Sequence, residues 1–280
     1  MSARSVVGQF ASWFAAEARK MSHRLGLTWR GWCVLGSGVI AFGVALMVLG
    51  GVSEDVTQHN GLASSDPSHL RLFTDHRTGL LVNSSRIASD FGNVAILALL
   101  AIGAGLLLWR RGLPVAMAIA PAFALGAAAL LADTTKRLVD RGRPPAPLRL
   151  VVEGDPSFPS GHATDSTAIY LTLGLVLALF IFRRPLTRFA VIAGSAVIAA
   201  AIGASRLILG VHWPSDVLAG WALGAAVALG VTIAAALLLG LMPTNPTPPR
   251  SRLRRAATLV GRVLALERDT TKRRAILQAA

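Results

Sequence analysis

Three short stretches hold the residues whose types and spacing suit chemistry. In SRLILGVHWPSD (residues 205–216), His212 and Asp216 stand four apart, with Pro214 between them. Proline suits the first turn of a helix starting near residue 214, which places Asp216 in that same turn. Its carboxylate can then accept the proton of one imidazole nitrogen, leaving the other as a nucleophile or base. Arg206, six residues before His212, adds a cation. In PSGHAT (159–164), the breakers Pro159, Ser160 and Gly161 precede helix formers. Ser160 and Gly161 therefore fall at a helix N-terminus, where free backbone N–H groups and the positive dipole end favour an anion. His162 at that end can carry a transferable proton. In KRLVDRGRP (136–144), Lys136 and Arg143 are seven apart, so two helical turns put them on one face. Gly142 and Pro144 mark where that helix should end. A lysine point charge beside an arginine fork suits a phosphate.

The elements that must position these residues are apolar. The chain has 280 residues, 53% hydrophobic and 15% charged, with mean hydropathy +0.57. A soluble domain would carry about 25% charged residues. Six runs, near 31–51, 91–108, 113–131, 164–182, 187–204 and 216–241, are long enough to cross about 30 Å of hydrocarbon. The expectation is an all-α polytopic membrane protein with six transmembrane helices. Threading the chain through those runs puts 19 Lys and Arg with 3 Asp and Glu on the face holding both termini, and 9 with 11 on the other. The basic face is then the cytoplasmic one. The net charge of +14 is accordingly a topology signal and an attraction to anionic lipid, not a nucleic-acid footprint. All three polar stretches fall on the opposite, extracytoplasmic face, as a single composite site requires.

Around the six-span domain, set at 31–243, the pattern places a cytoplasmic amphipathic segment (1–30) and a basic cytoplasmic tail (244–280). Val7, Phe10, Trp13 and Phe14 share a helical face in the first, and Leu253, Ala257, Val260 and Leu264 in the second. Either can lie in the membrane interface. No small-residue cleavage site follows a short apolar core, so the first span reads as retained. The single cysteine, Cys33, excludes an internal disulfide and four-sulfur metal sites, and suits a small buried apolar residue. The 52–90 segment, with His59, His69, Arg71, His76 and Arg77, reads as a capped connector or as a cover over the site that reads a headgroup.

Read in order, Lys-x6-Arg-Pro, Pro-Ser-Gly-His and Ser-Arg-x5-His-x3-Asp resemble the type 2 phosphatidic acid phosphatase (PAP2) superfamily, which includes vanadium haloperoxidases and glucose-6-phosphatase. The resemblance spans about 136–216, and the six-span layout agrees with the membrane branch. It implies that His212 is the nucleophile, forming a phosphohistidine, with Asp216 orienting it. It implies that His162 protonates the leaving oxygen and later activates water. Lys136, Arg143, Arg206, Ser160 and the Gly161 amide would hold the phosphoryl oxygens. Phosphoryl transfer needs placement and charge stabilisation more than covalent machinery, so fixed cations and a helix N-terminus can serve without a metal or other cofactor. The carboxylates on that face, Asp133, Asp140, Glu153, Asp155 and Asp165, lack metal-ligand spacing. The expected partner is an amphiphilic substrate, a lipid phosphate or polyprenyl diphosphate, of the phosphatidate, phosphatidylglycerophosphate or lipid A type. A lipid phosphotransferase using the same site, or a non-catalytic lipid-binding or transport protein, are the alternatives. Breakers clustered at span ends count against a transporter. Oligomeric state is not encoded in these motifs.

Overall fold

The computed structural model describes residues 29–238. The amphipathic N-terminal segment and the basic tail lie outside the described residues. Residues 37–235 make one compact unit, and the described parts of a second are residues 29–36 and 236–238. Among the described residues every regular element is helical: α1 (Trp29–Gln58), α2 (Gly61–Thr74), α3 (Gly79–Asp90), α4 (Val94–Arg110), α5 (Val115–Val139), α6 (Gly161–Val176, continued as a wider π turn over Leu177–Ile181), α7 (Pro185–Ile208) and α8 (Pro214–Leu238).

Five of these helices are long and apolar enough to cross a membrane. A sixth span is reached if α3 and α4, bent by 53° at their junction, count as one. The run expected near 91–108 is α4, whose 17 residues start after Asn93 caps Ala95. The 52–90 segment is mostly helical rather than a loop. The first helix simply continues to Gln58, and α2 and α3 follow. α5 runs unbroken through Pro121 and past the expected end near residue 131, so it carries Lys136 within its last turn.

Close packing explains why small residues crowd the spans. Ala124, Ala128 and Ala132 form an i, i+4, i+8 stripe on α5 that packs with Ala168 of α6 and with Leu223 and Val227 of α8. Lipid tails are as apolar as leucine, so helices in a membrane gain from backbone approach rather than from burying large side chains. Gly220 and Gly224, one turn apart on α8, sit against the start of α6. A Cβ on Gly220 would lie 2.8 Å from the Ser160 carbonyl oxygen, and one on Gly224 would lie 2.7 Å from Thr167 Cβ. Large side chains such as Ile40, Met47, Leu99, Phe123, Leu130 and Phe189 remain exposed, as a lipid-facing surface requires.

Candidate active site

The three polar stretches converge at one end of the bundle. α5 delivers Lys136 near its C-terminus, α6 begins at Gly161 with His162 next, α7 ends just after Arg206, and α8 opens with Asp216 in its first turn. Ser160 is the N-cap of α6, as its position before Gly161 implied, but its hydroxyl makes no capping bond. The expected single helical face for Lys136 and Arg143 is not what forms. Asp140 takes a left-handed conformation (φ 44°) that ends α5, and Arg143 lies in the loop beyond. Both cations still meet, because each binds Asp155.

His212 is buried in the short link between α7 and α8. Gly210 makes that link possible, with a positive φ of 71° and no room for a Cβ beside the Leu148 carbonyl and the Arg77 guanidinium. Arg77 donates to the carbonyl oxygens of Ile208 (2.6 Å) and Leu148 (2.9 Å), so the 52–90 segment clasps the link from outside. The His212 Nδ1 lies 3.4 Å from Asp216 Oδ2. The same oxygen accepts the Trp213 backbone N–H at 2.8 Å. His212 Nε2 is 3.2 Å from Arg143 Nη1. Burial, together with Arg143 and Arg206, pulls the His212 pKa down to about 4 against the opposing pull of Asp216. The imidazole is therefore neutral at neutral pH.

The cations and donors surround this ring. Arg143 Nη1 also donates to the Val211 carbonyl at 2.8 Å. Lys136 Nζ sits 3.8 Å from where a Gly161 Cβ would be, which places the ammonium at the start of α6. His162 lies within electrostatic reach of His212, Arg206, Lys136 and Arg143. Gly92, at the α3–α4 bend, lets His162 come close, since a Cβ there would lie 3.1 Å from its Cδ2. Of the buried side-chain donors without a partner among the described residues, two belong to these motifs, the Ser160 hydroxyl and Arg206 Nε. Unsatisfied buried polar groups are rare, and these two lie at an end of the bundle rich in cations.

Sequence reasoning missed four residues here. Arg141 donates to Asp216 Oδ1 at 2.6 Å, to the Ser215 hydroxyl at 2.7 Å and to Asp66 Oδ2 at 2.7 Å. Asp66 also accepts the Ser215 backbone N–H at 2.9 Å. Arg141 packs over the Trp213 ring, 5.8 Å from its centroid. Glu153 pairs with Arg206, and Asp155 with Lys136 and Arg143. Arg141 was visible only as one more arginine in a basic stretch, and Asp66 lies 75 residues from it. Among the described residues no group of three His, Cys, Asp or Glu side chains is placed to hold a metal ion.

Known proteins resemble this chain. A family model described as the PAP2 superfamily matches residues 117–238, which contain all three motifs. A decaprenylphosphoryl-5-phosphoribose phosphatase of Mycobacterium tuberculosis is 39% identical over 155 residues, covering 54% of this chain and 78% of that protein. Phosphatidylglycerophosphatase B of Bacillus subtilis is 36% identical over 126 residues, covering 44% of this chain and 59% of that protein. The crystal structure of a transmembrane PAP2-type phosphatidylglycerolphosphate phosphatase from Bacillus subtilis superposes with a TM-score of 0.58 at 26% identity, over 69% of this chain and 93% of that one.

Proposed function

This chain belongs to the PAP2 superfamily, and from that premise we propose that it is an integral-membrane phosphatase hydrolysing the terminal phosphomonoester or diphosphate of a lipid. His212 is the nucleophile. With its Nδ1–H donated to Asp216, Nε2 holds the lone pair that attacks phosphorus. Arg143, now beside that lone pair, swings onto a phosphoryl oxygen as substrate enters. The bond from phosphorus to the lipid oxygen breaks, and His162 gives that oxygen a proton. His162 then takes a proton from water, the water oxygen attacks the phosphohistidine, and phosphate leaves as His212 is restored. Lys136, Arg143, Arg206, the Ser160 hydroxyl and the Gly161 N–H spread the transition-state charge.

The observation that supports this reading best is the meeting of a buried His212–Asp216 pair with three cations and an unpartnered Ser160 hydroxyl at the start of one helix. The relatives point to substrates of the polyprenyl-phosphoryl sugar phosphate or phosphatidylglycerophosphate type, and release of free phosphate is favoured over transfer to a second lipid. In this reading the reaction needs no metal, because Lys136, Arg143 and Arg206 can supply the positive charge that a divalent ion would bring to the phosphoryl oxygens. The decisive assay uses purified protein in detergent with EDTA, presented with phosphatidate, phosphatidylglycerophosphate, polyprenyl diphosphate and a polyprenyl-phosphoryl sugar phosphate. Free phosphate is expected from at least one of them, and none after His212→Ala. Full activity in that variant would overturn the assignment.

A further inference from the structure

Each of the three cations a phosphate would need is already paired with a carboxylate from one short segment before α6. Lys136 binds Asp155 Oδ2, and Arg143 binds Asp155 Oδ1 at 2.7 Å and its backbone carbonyl at 2.8 Å. Arg206 binds Glu153 Oε1, while Glu153 Oε2 lies 3.9 Å from Arg143. The carboxylate oxygens stand where phosphoryl oxygens would be held. Arg141 does not add to the cradle, being matched by Asp66 and Asp216. Three cations against two carboxylates leave a net charge of one.

Resting on the phosphatase reading, we propose that Glu153 and Asp155 are specificity-determining residues that admit a terminal phosphate dianion and turn away phosphodiester headgroups. An incoming anion must take over the contacts of both carboxylates. A terminal phosphate brings a charge of about −1.5 to −2 at neutral pH and three strong acceptor oxygens. It can repair every ion pair that it breaks. A phosphodiester brings one negative charge and two such oxygens, so it leaves a buried cation without a partner. Arg206 is 2% exposed and Lys136 8%, and an unpaired charge so deeply buried is strongly disfavoured. This discrimination matters because a bilayer surface presents phosphodiester headgroups in vast excess over any one lipid phosphate. A bare cradle of three cations would fill with them. The lowered pKa of Asp155, held at about 2 by Lys136 and Arg143 although burial works to raise it, keeps that carboxylate charged throughout the working pH range.

The test compares the full-length wild-type protein with Glu153→Gln/Asp155→Asn in detergent micelles at pH 8, where the monoester is a full dianion. Inhibition of lipid-phosphate hydrolysis is measured with phosphatidylglycerol as the diester probe and inorganic phosphate as the other. In the variant the phosphatidylglycerol Ki is expected to fall by about tenfold or more, because the diester no longer has to displace two carboxylates to reach the cations. An unchanged or raised phosphatidylglycerol Ki would overturn the proposal while leaving the phosphatase assignment intact. Wild-type protein that neither releases nor binds phosphate would overturn both. Should the double variant fail to fold, Asp155→Asn alone carries the same comparison, because that side chain is 47% exposed.

Discussion

Asp216 serves two neighbours with two oxygens. Oδ2 faces His212 and the Trp213 N–H, and Oδ1 is held by Arg141, which is itself tied to Asp66 on α2. We read Arg141 as a positioning residue that aims the Asp216 carboxylate and tempers its charge. Arg141→Gln should cost about 3–5 kcal/mol of stability in a detergent unfolding titration, since it strands two buried carboxylates. It should also shift the pH profile, which a purely structural role would not. The buried His212, flanked by Arg143, Arg206 and Asp216, has its pKa pulled down to about 4, so the acid limb of kcat/KM that belongs to it should lie well below 6.5. Losing Arg141 strengthens the hold of Asp216 on imidazolium and moves that limb to higher pH. The sign for stability follows from the same depression. Neutral His212 contributes stability in full above the unfolded value near 6.5, and that contribution drains away as pH falls toward 4. Asn at position 212 keeps the size but no attacking nitrogen, and should lower kcat at least about 10³-fold.

At the scale of elements, the site depends on how tightly α8 lies against α6. His162 and Ser160 ride on one helix start, and Asp216 on the other. The Ser160 N–H donates to the Asp216 carbonyl at 3.0 Å, so the two starts are stitched directly. Gly224→Ala should destabilise by about 1–3 kcal/mol, because even one methyl meets the Thr164 carbonyl and Thr167. Gly126→Ala, where a Cβ meets nothing within 4 Å, should be close to neutral. Paired thermal melts of the two variants in one detergent check this, and equal losses would contradict the packing argument. The α2–α3 pair acts at the same scale. It supplies Asp66 to Arg141, Ser89 to Arg206 at 2.5 Å, and Arg77 to the His212 link.

At the scale of the molecule, the charged residues of the site gather at one end of the described helices, and from the charge bias of the sequence we propose that this end is extracytoplasmic. Val152, 99% exposed beside the acidic pair, offers a direct check. In a Cys33→Ser background, Val152→Cys should react with an impermeant maleimide added outside intact cells. Labelling only after membranes are opened would reverse the sidedness.

The sequence by itself determined the helical membrane architecture, because hydrocarbon thickness sets a run length that composition shows directly. It also determined the identities of His212, Asp216, His162, Lys136, Arg143, Arg206, Ser160 and Gly161 as candidates, since local spacing and breakers reveal helix starts and His–carboxylate pairs. The α2–α3 pair stayed hidden, for its mixed polar sequence carries no span signal. Tertiary structure alone decided that Arg143 reaches the site from a loop and that Asp66 answers Arg141. It alone set two carboxylates into the cradle. Those choices depend on which charges share a buried space after the helices pack, and the need to neutralise charge there has no period along the chain.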